Sequence, residues 1–352
     1  MLWAAPLNGS GPLALTSDPC ELCNIKFQVT PTGAEVVYML GGAGRPTTLY
    51  RTSMEGVTQE LAVDIEKFAI TPDGDRVVYT GSPDWPKYEL FSIPITGGSP
   101  IKLSGAMVSG GRVRDFRIAP NSQHVVYIAD ELVDERVDLF SAPVDDSGAR
   151  VSLVVMISNG DVVDYQITPN SQGVVYLADQ VFDERFDLGA VGINGGPYYW
   201  LNKDMVAGGD VTTFAITPNS LGVVFITDKL VDETFELFAV SVIGTLLTRL
   251  NADLPAGGDV LDFQIAPNSQ GVVYRADQVV NDVFNLYAVP SVGGAAPVRV
   301  NNPLILGGDV QAFTITPDSQ GVLYLADQET DGVDELFATF DRQLIYLPLA
   351  RK

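Results

Sequence analysis

Histidine sets the first limit on the chemistry open to this chain, because its 352 residues contain one, His124. A Ser/His/Asp triad or a multi-histidine metal cluster needs imidazole at the mouth of a site. His124 lies instead in the turn-like run Asn121-Ser122-Gln123-His124, where four other copies of the run have glycine. It reads as a solvated turn residue, and hydrolase and lyase chemistry are disfavoured. Paired carboxylates could still drive glycoside chemistry. The acidic residues here recur at fixed intervals, however, whereas catalytic pairs are idiosyncratic, so their periodicity points to structure.

Two acidic series carry that period. Asp130, Asp179, Asp228, Asp277 and Asp327 each follow an apolar run, a place where a carboxylate caps a turn by accepting backbone N–H groups. Clusters such as Asp134-Glu135, Asp183-Glu184 and Asp232-Glu233 come next and read as a solvated face. The second series is Gly160-Asp161-Val162, Gly209-Asp210-Val211, Gly258-Asp259-Val260 and Gly308-Asp309-Val310. Asp161, Asp210, Asp259 and Asp309 either bond loop amides or together form a mouth that attracts a divalent cation. Ca²⁺ would suit such a mouth, because it takes several oxygen ligands. No other cofactor is expected. Cys20 and Cys23, in Asp-Pro-Cys-Glu-Leu-Cys, fit a small disulfide-closed loop in a secreted protein. A redox pair and half of a zinc site are the alternatives.

These residues are positioned by a repeat. An apolar-x-apolar-(Thr/Ala)-Pro-x-(Gly/Ser) segment recurs with its proline at Pro31, Pro72, Pro120, Pro169, Pro218, Pro267 and Pro317. The spacing, 41 residues and then 48 to 50, suits a four-stranded unit. Within one unit, Asp262-Phe263-Gln264-Ile265 alternates as strand A and Pro267-Asn268-Ser269 turns the chain. Gly271-Val272-Val273-Tyr274 forms strand B, Phe284–Val289 strand C, and Pro297–Val300 strand D after Gly293-Gly294. No helical period intervenes. The expected fold class is therefore all-β, a seven-bladed β-propeller of four-stranded antiparallel blades. Phe27, Phe68, Phe116, Tyr165, Phe214, Phe263 and Phe313 hold equivalent places on strand A and should pack between blades. Strand A is innermost in such a fold, which would bring the second aspartate series toward a central channel.

The ends leave surplus strands. Leu2–Leu7 and Pro12–Leu15 match strands C and D, while Glu335-Leu336-Phe337 and Gln343–Leu347 also supply C and D to the last blade. Residues 1–352 then form one domain, with a hairpin and Cys-x-x-Cys loop at 1–23, seven repeats at 24–340 and a tail at 341–352. A strand left over should pair with a neighbouring sheet, in its own chain or in another copy.

The run Thr71-Pro72-Asp73-Gly74-Asp75-Arg76-Val77-Val78-Tyr79, with Glu89–Pro94 after it, resembles the TolB-like or PD40 (WD40-like) propeller repeat. The match recurs at each later proline and implies the propeller fold. It implies no single activity, since similar propellers serve as adaptors, peptidase gating domains, sugar-acid lyases and surface proteins. Asn-Ser stands for Asp-Gly in repeats three to six.

With 44 acidic residues against 21 basic ones, the formal charge is −23, which disfavours nucleic acid and anionic membrane as partners. No run reaches the length of a membrane span, and residues 1–20 lack the features of a signal peptide. A leader removed from a precursor, or a fragment of a longer chain, would account for the start. These readings converge on a non-enzymatic scaffold or binding module outside the cytoplasm, in the cell envelope or periplasm or secreted, that binds a protein partner or self-assembles through its terminal strands. The alternatives are a filament subunit and a carboxylate- or metal-dependent hydrolase at the channel mouth.

Overall fold

A computed structural model describes residues 3–4, 13–14, 24–42, 45–82, 87–156, 160–180, 182, 184–330, 332–340 and 343–347. Seven four-stranded antiparallel sheets follow one another, each with its strands in chain order. Blade 1 comprises Asn24–Val29, Glu35–Gly42, Arg45–Ser53 and Thr58–Val63; blade 2 comprises Ile65–Ile70, Arg76–Gly81, Glu89–Pro94 and Ile101–Lys102. Blade 3 is Val113–Ile118, His124–Ala129, Asp138–Pro143 and Val151–Val154. Strands A to C of the others are Val162–Ile167, Gly173–Ala178 and Asp187–Gly192; Val211–Ile216, Gly222–Thr227 and Glu236–Ser241; Val260–Ile265, Gly271–Ala276 and Asn285–Pro290; and Val310–Ile315, Gly321–Ala326 and Glu335–Phe340. The fourth strands of blades 4 to 6 are two-residue pieces, Tyr199–Trp200, Thr248–Arg249 and Val298–Arg299. The fold class expected from the repeat is the one observed.

The chain divides into two compact units, residues 1–162 with 192–196, and residues 163–191 with 197–352. In the first, Phe68 of blade 2 joins Val37 and Leu49 of blade 1, and Phe116 of blade 3 joins Val78 and Leu90 of blade 2. In the second, Phe214 packs with Val175 and Leu188, and Phe263 and Phe313 pack against the blades before theirs. Within each unit, strand A of these blades thus covers the preceding blade. Strand B is apolar on both faces because it is covered twice, and Val77, Val78, Val125 and Val126 are fully buried. Phe27 departs from its equivalents: it pairs with Tyr38 in the same register, but its side chain is 55% exposed. It opens the first blade of its unit, and no earlier blade of that unit lies against it.

At the ends, Gln343–Leu347 pairs with strand C of blade 7 and takes the D position. Among the described residues, Trp3–Ala4 and Leu13–Ala14 pair with each other as a separate two-stranded sheet. Cys20 and Cys23 lie outside the described residues. Among the described residues no helix is long and apolar enough to cross a membrane.

Candidate site in the cleft between blades 2 and 3

The aspartates singled out for a cation mouth are engaged by backbone. Asp161 accepts the Val137 amide at 2.6 Å; Asp210, Asp259 and Asp309 accept the amides of Phe186, Phe235 and Phe284 at 2.7 to 2.8 Å. Each of those amides belongs to the preceding blade, at or just before the start of its strand C. The amides of Asp210, Asp259 and Asp309 in turn donate to Asp228, Asp277 and Asp327 at 2.5 Å. The second oxygens of Asp228 and Asp277 accept Glu233 and Asp282 amides at 3.0 and 2.8 Å. These bonds close the loops between strands B and C, so both acidic series hold blades and loops together through charge-assisted bonds. A bulge at the start of strand A, between Val211 and Thr213, Val260 and Asp262, and Val310 and Ala312, follows each of these three aspartates. The same bulge opens strand A of blade 3, where Arg112 holds that place, so it does not depend on the aspartate; blade 1 keeps regular register. Among the described residues no three His, Cys, Asp or Glu side chains converge on a point that could hold a metal.

The opposite end of the strands, where the A–B and C–D turns lie, is more distinctive. The second turn residue after each repeat proline has positive φ: Gly33 and Gly74 in blades 1 and 2, then Ser122, Ser171, Ser220, Ser269 and Ser319, with φ between 61° and 66°. In four of these serines Oγ accepts an amide from the preceding blade's turn: Asp73 to Ser122, Asn170 to Ser220, Asn219 to Ser269 and Asn268 to Ser319, at 2.9 to 3.0 Å. The hydroxyl latches adjacent blades and offsets part of the cost of a left-handed non-glycine residue. At Gly74 a Cβ would approach Pro31 Cδ to 3.1 Å, a tight contact at the first joint, where glycine carries no hydroxyl to form the latch.

Beside the latches, one position decides what each cleft contains. Strand B opens with Glu35, Arg76 and His124 in blades 1 to 3 but with Gly173, Gly222, Gly271 and Gly321 in blades 4 to 7. Diagonally opposite on strand C stand Arg51, Ser92 and Ser141 in blades 1 to 3, against Ala190, Ala239, Ala288 and Ala338 in the rest. Glu35 pairs with Arg51 at 3.0 Å, and Arg76 Nε donates to Ser92 Oγ at 2.7 Å. His124 and Ser141 do not bond: among the described residues His124 Nδ1, Ser141 Oγ and Arg76 Nη2 are buried with no hydrogen-bond partner.

Between blades 2 and 3, Arg76 and His124 line a cleft of about 680 Å³ with Asp73, Asp75, Gln123 and Asp145. Its wall holds three carboxylates, one guanidinium and one imidazole, and the Asp73–Ser122 latch lies among them. Bonds from the Ser147 hydroxyl and amide, with a smaller contribution from Arg76, hold the Asp145 carboxyl below the usual carboxylate range. Where glycine and alanine replace the polar pair, the equivalent clefts are apolar. One of about 360 Å³ lies between blades 5 and 6, lined by Gly222, Ala239 and Leu246, and one of about 480 Å³ between blades 6 and 7, lined by Gly271, Ala288 and Val298.

His124 therefore lines a pocket and is not simply a solvated turn residue. Arg76, Ser92 and Ser141 were not singled out from sequence. The signal lies in the seven repeats compared column by column, because only the first three have polar side chains where the others have glycine and alanine.

No family model matches the chain, and no curated protein matches it in sequence. Among solved structures it is similar to dipeptidyl peptidase 4 of Porphyromonas gingivalis, with 10% identity, a TM-score of 0.58, and coverage of 92% of this chain and 52% of the peptidase. The fold is a β-propeller. It is also similar to the "putative TolB" of Agrobacterium tumefaciens, at 16% identity, TM-score 0.39, and 68% and 83% coverage. An oligogalacturonate lyase of Vibrio parahaemolyticus is similar at 11% identity, TM-score 0.45, and 91% and 97% coverage. The repeated four-stranded sheets agree with the TolB-like repeat resemblance. The expectation of a non-enzymatic scaffold or filament subunit is corrected by the likeness to the peptidase: an enzyme shares this fold, so the fold does not set the chain apart from enzymes.

Proposed function

We propose that the chain binds a small basic zwitterion, such as a dibasic amino acid, in the cleft between blades 2 and 3. The observation that carries this reading is the replacement of glycine by Arg76 and His124 at repeat-equivalent positions lining one polar cleft. Its volume of about 680 Å³ lies within the usual range of small-molecule sites. A guanidinium forks onto a carboxylate, while carboxylates accept from ammonium groups. With three carboxylates against one guanidinium, the cleft favours a ligand carrying more positive than negative charge. We place this binding outside the cytoplasm, a reading that the closely spaced Cys20 and Cys23 support.

The test is an NMR or calorimetric titration with L-arginine and L-lysine, alongside their N-acetyl and methyl-ester derivatives. The parent free amino acids should bind, each derivative should bind more weakly, and Arg76→Gly and His124→Gly, which copy blades 4 to 7, should abolish binding without unfolding the protein. Equal binding of the derivatives, or no binding of any probe at millimolar concentration, would overturn the proposal.

A further inference from the structure

The loops joining strands B and C display apolar side chains that the fold does not require. Leu132-Val133, Leu230-Val231 and Val279-Val280 occupy matching places in blades 3, 5 and 6, each residue between 44% and 69% exposed, and Phe182 is similarly exposed in blade 4. Each loop is held in shape. Thr234 donates its amide to the Val231 carbonyl at 3.0 Å, Val283 donates to Val280 at 3.1 Å, and Glu233 and Asp282 sit in the left-handed region at φ 60°. Asp228 and Asp277 grip those same two residues by their amides. The apolar pairs therefore stand on rigid supports and cannot fold inward.

Blade 7 shows that the turn does not need them. It carries Glu329-Thr330 in place of the apolar pair and closes the same turn, Val333 amide to Thr330 carbonyl, at 3.1 Å. In blades 5 and 6 the displayed side chains lie among the exposed carboxylates of Asp232, Glu233 and Asp282. The one cation of the blade 5 loop, Lys229, is buried and donates to the carbonyls of Lys203 and Asp204. The surface presented is apolar and anionic. Like charges disfavour a second copy of a chain of charge −23 on this face, and disfavour an anionic bilayer equally.

We infer that the B–C loops of blades 5 and 6 form a docking surface for a basic, partly apolar polypeptide segment, whose apolar residues meet Leu230, Val231, Val279 and Val280 and whose lysines or arginines meet the loop carboxylates. An exposed apolar patch rimmed by charge is the usual form of such a surface. This site is separate from the cleft between blades 2 and 3 and does not depend on it.

The experiment uses the whole chain and fluorescence anisotropy with a short labelled Lys-Leu-Ser repeat peptide. Peptides with leucine replaced by serine, or lysine by glutamate, serve as counterparts. The Lys-Leu-Ser peptide should bind with an affinity that falls as salt rises, and both counterparts should fail. A variant with L230S, V231S, V279S and V280S keeps every charge and should bind about tenfold or more weakly, with an unchanged melting temperature. Placing an apolar pair in blade 7 by Glu329→Leu with Thr330→Val should strengthen binding. Unchanged affinity in the serine variant, or equal binding of the leucine-free peptide, would overturn the inference. So would binding of the parent to neutral phosphatidylcholine vesicles that the serine variant loses, since lipid would then be the occupant.

Discussion

At the scale of single residues, the turn serines show how one atom joins two repeats. Ser220 sits at φ 66° and its Oγ accepts the Asn170 amide at 2.9 Å. Ser220→Ala keeps the backbone strain and leaves that amide unpaired, a loss of about 1 to 2 kcal/mol. Ser220→Gly loses the same bond but relieves about 1 kcal/mol of strain. Urea denaturation should rank the parent first, glycine second and alanine last; an alanine variant as stable as the glycine variant would show that the bond, not the strain, is the whole effect. Tyrosines give a second residue-scale expectation. Burial pushes the Tyr79 hydroxyl up to about 12 and raises Tyr38, Tyr127, Tyr274 and Tyr324 as well. An unfolded tyrosine loses its proton near pH 10, roughly the ordinary value, so between that pH and the folded values the unfolded state binds fewer protons. Stability is fully present below pH 10 and is lost as pH rises through 12. Melting temperature measured from pH 8 upward should stay level and then fall steeply in that window.

In every blade but the fourth, a ring from strand B stacks on one from strand C. Tyr38 on Tyr50, Tyr79 on Phe91, Tyr127 on Phe140, Phe225 on Phe238, Tyr274 on Tyr287 and Tyr324 on Phe337 have centroids 5.3 to 5.9 Å apart. Blade 4 breaks the series with Gly189, across which Tyr176 lies; a Cβ at Gly189 would meet Tyr176 Cζ at 2.4 Å. Tyr176 also donates its hydroxyl to Gln180 at 3.2 Å. Gly189→Ala must therefore displace a fully buried ring and should destabilise by about 1 to 3 kcal/mol, a loss readable in chemical denaturation. The exchange of an aromatic for glycine was visible in the sequence, but the tyrosine's use of the vacated space was not.

For the molecule as a whole, the tail is the element whose loss should matter most. Gln343–Leu347 covers strand C of blade 7 along five paired positions, from Leu336–Leu347 to Phe340–Gln343. Truncation after Phe340 exposes that edge's amides and carbonyls. The melting temperature should fall and the truncated chain should become prone to self-pairing, measured by calorimetry and light scattering. Truncation with no change in either would mean that the fourth strand of this blade is dispensable.

The repeat, its strands and its turns were legible from the sequence because they rest on local chemistry. Alternating apolar residues, a proline that sets φ and a short polar turn act within a few residues of one another, and they recur seven times. The turn-capping role of Asp228 and Asp277 was readable for the same reason. What the aspartates Asp210, Asp259 and Asp309 bond depended on the neighbouring blade, whose strand C amides come from residues 24 or 25 positions earlier in the chain. The cleft of Arg76 and His124 likewise needs two blades, brought together by packing between strands far apart in sequence. Which terminus supplies the last strand of blade 7 was equally open, since both ends carry suitable residues, and pairing partners are chosen by three-dimensional proximity. Local propensity therefore determined the elements, and inter-blade contact determined what stands at their ends.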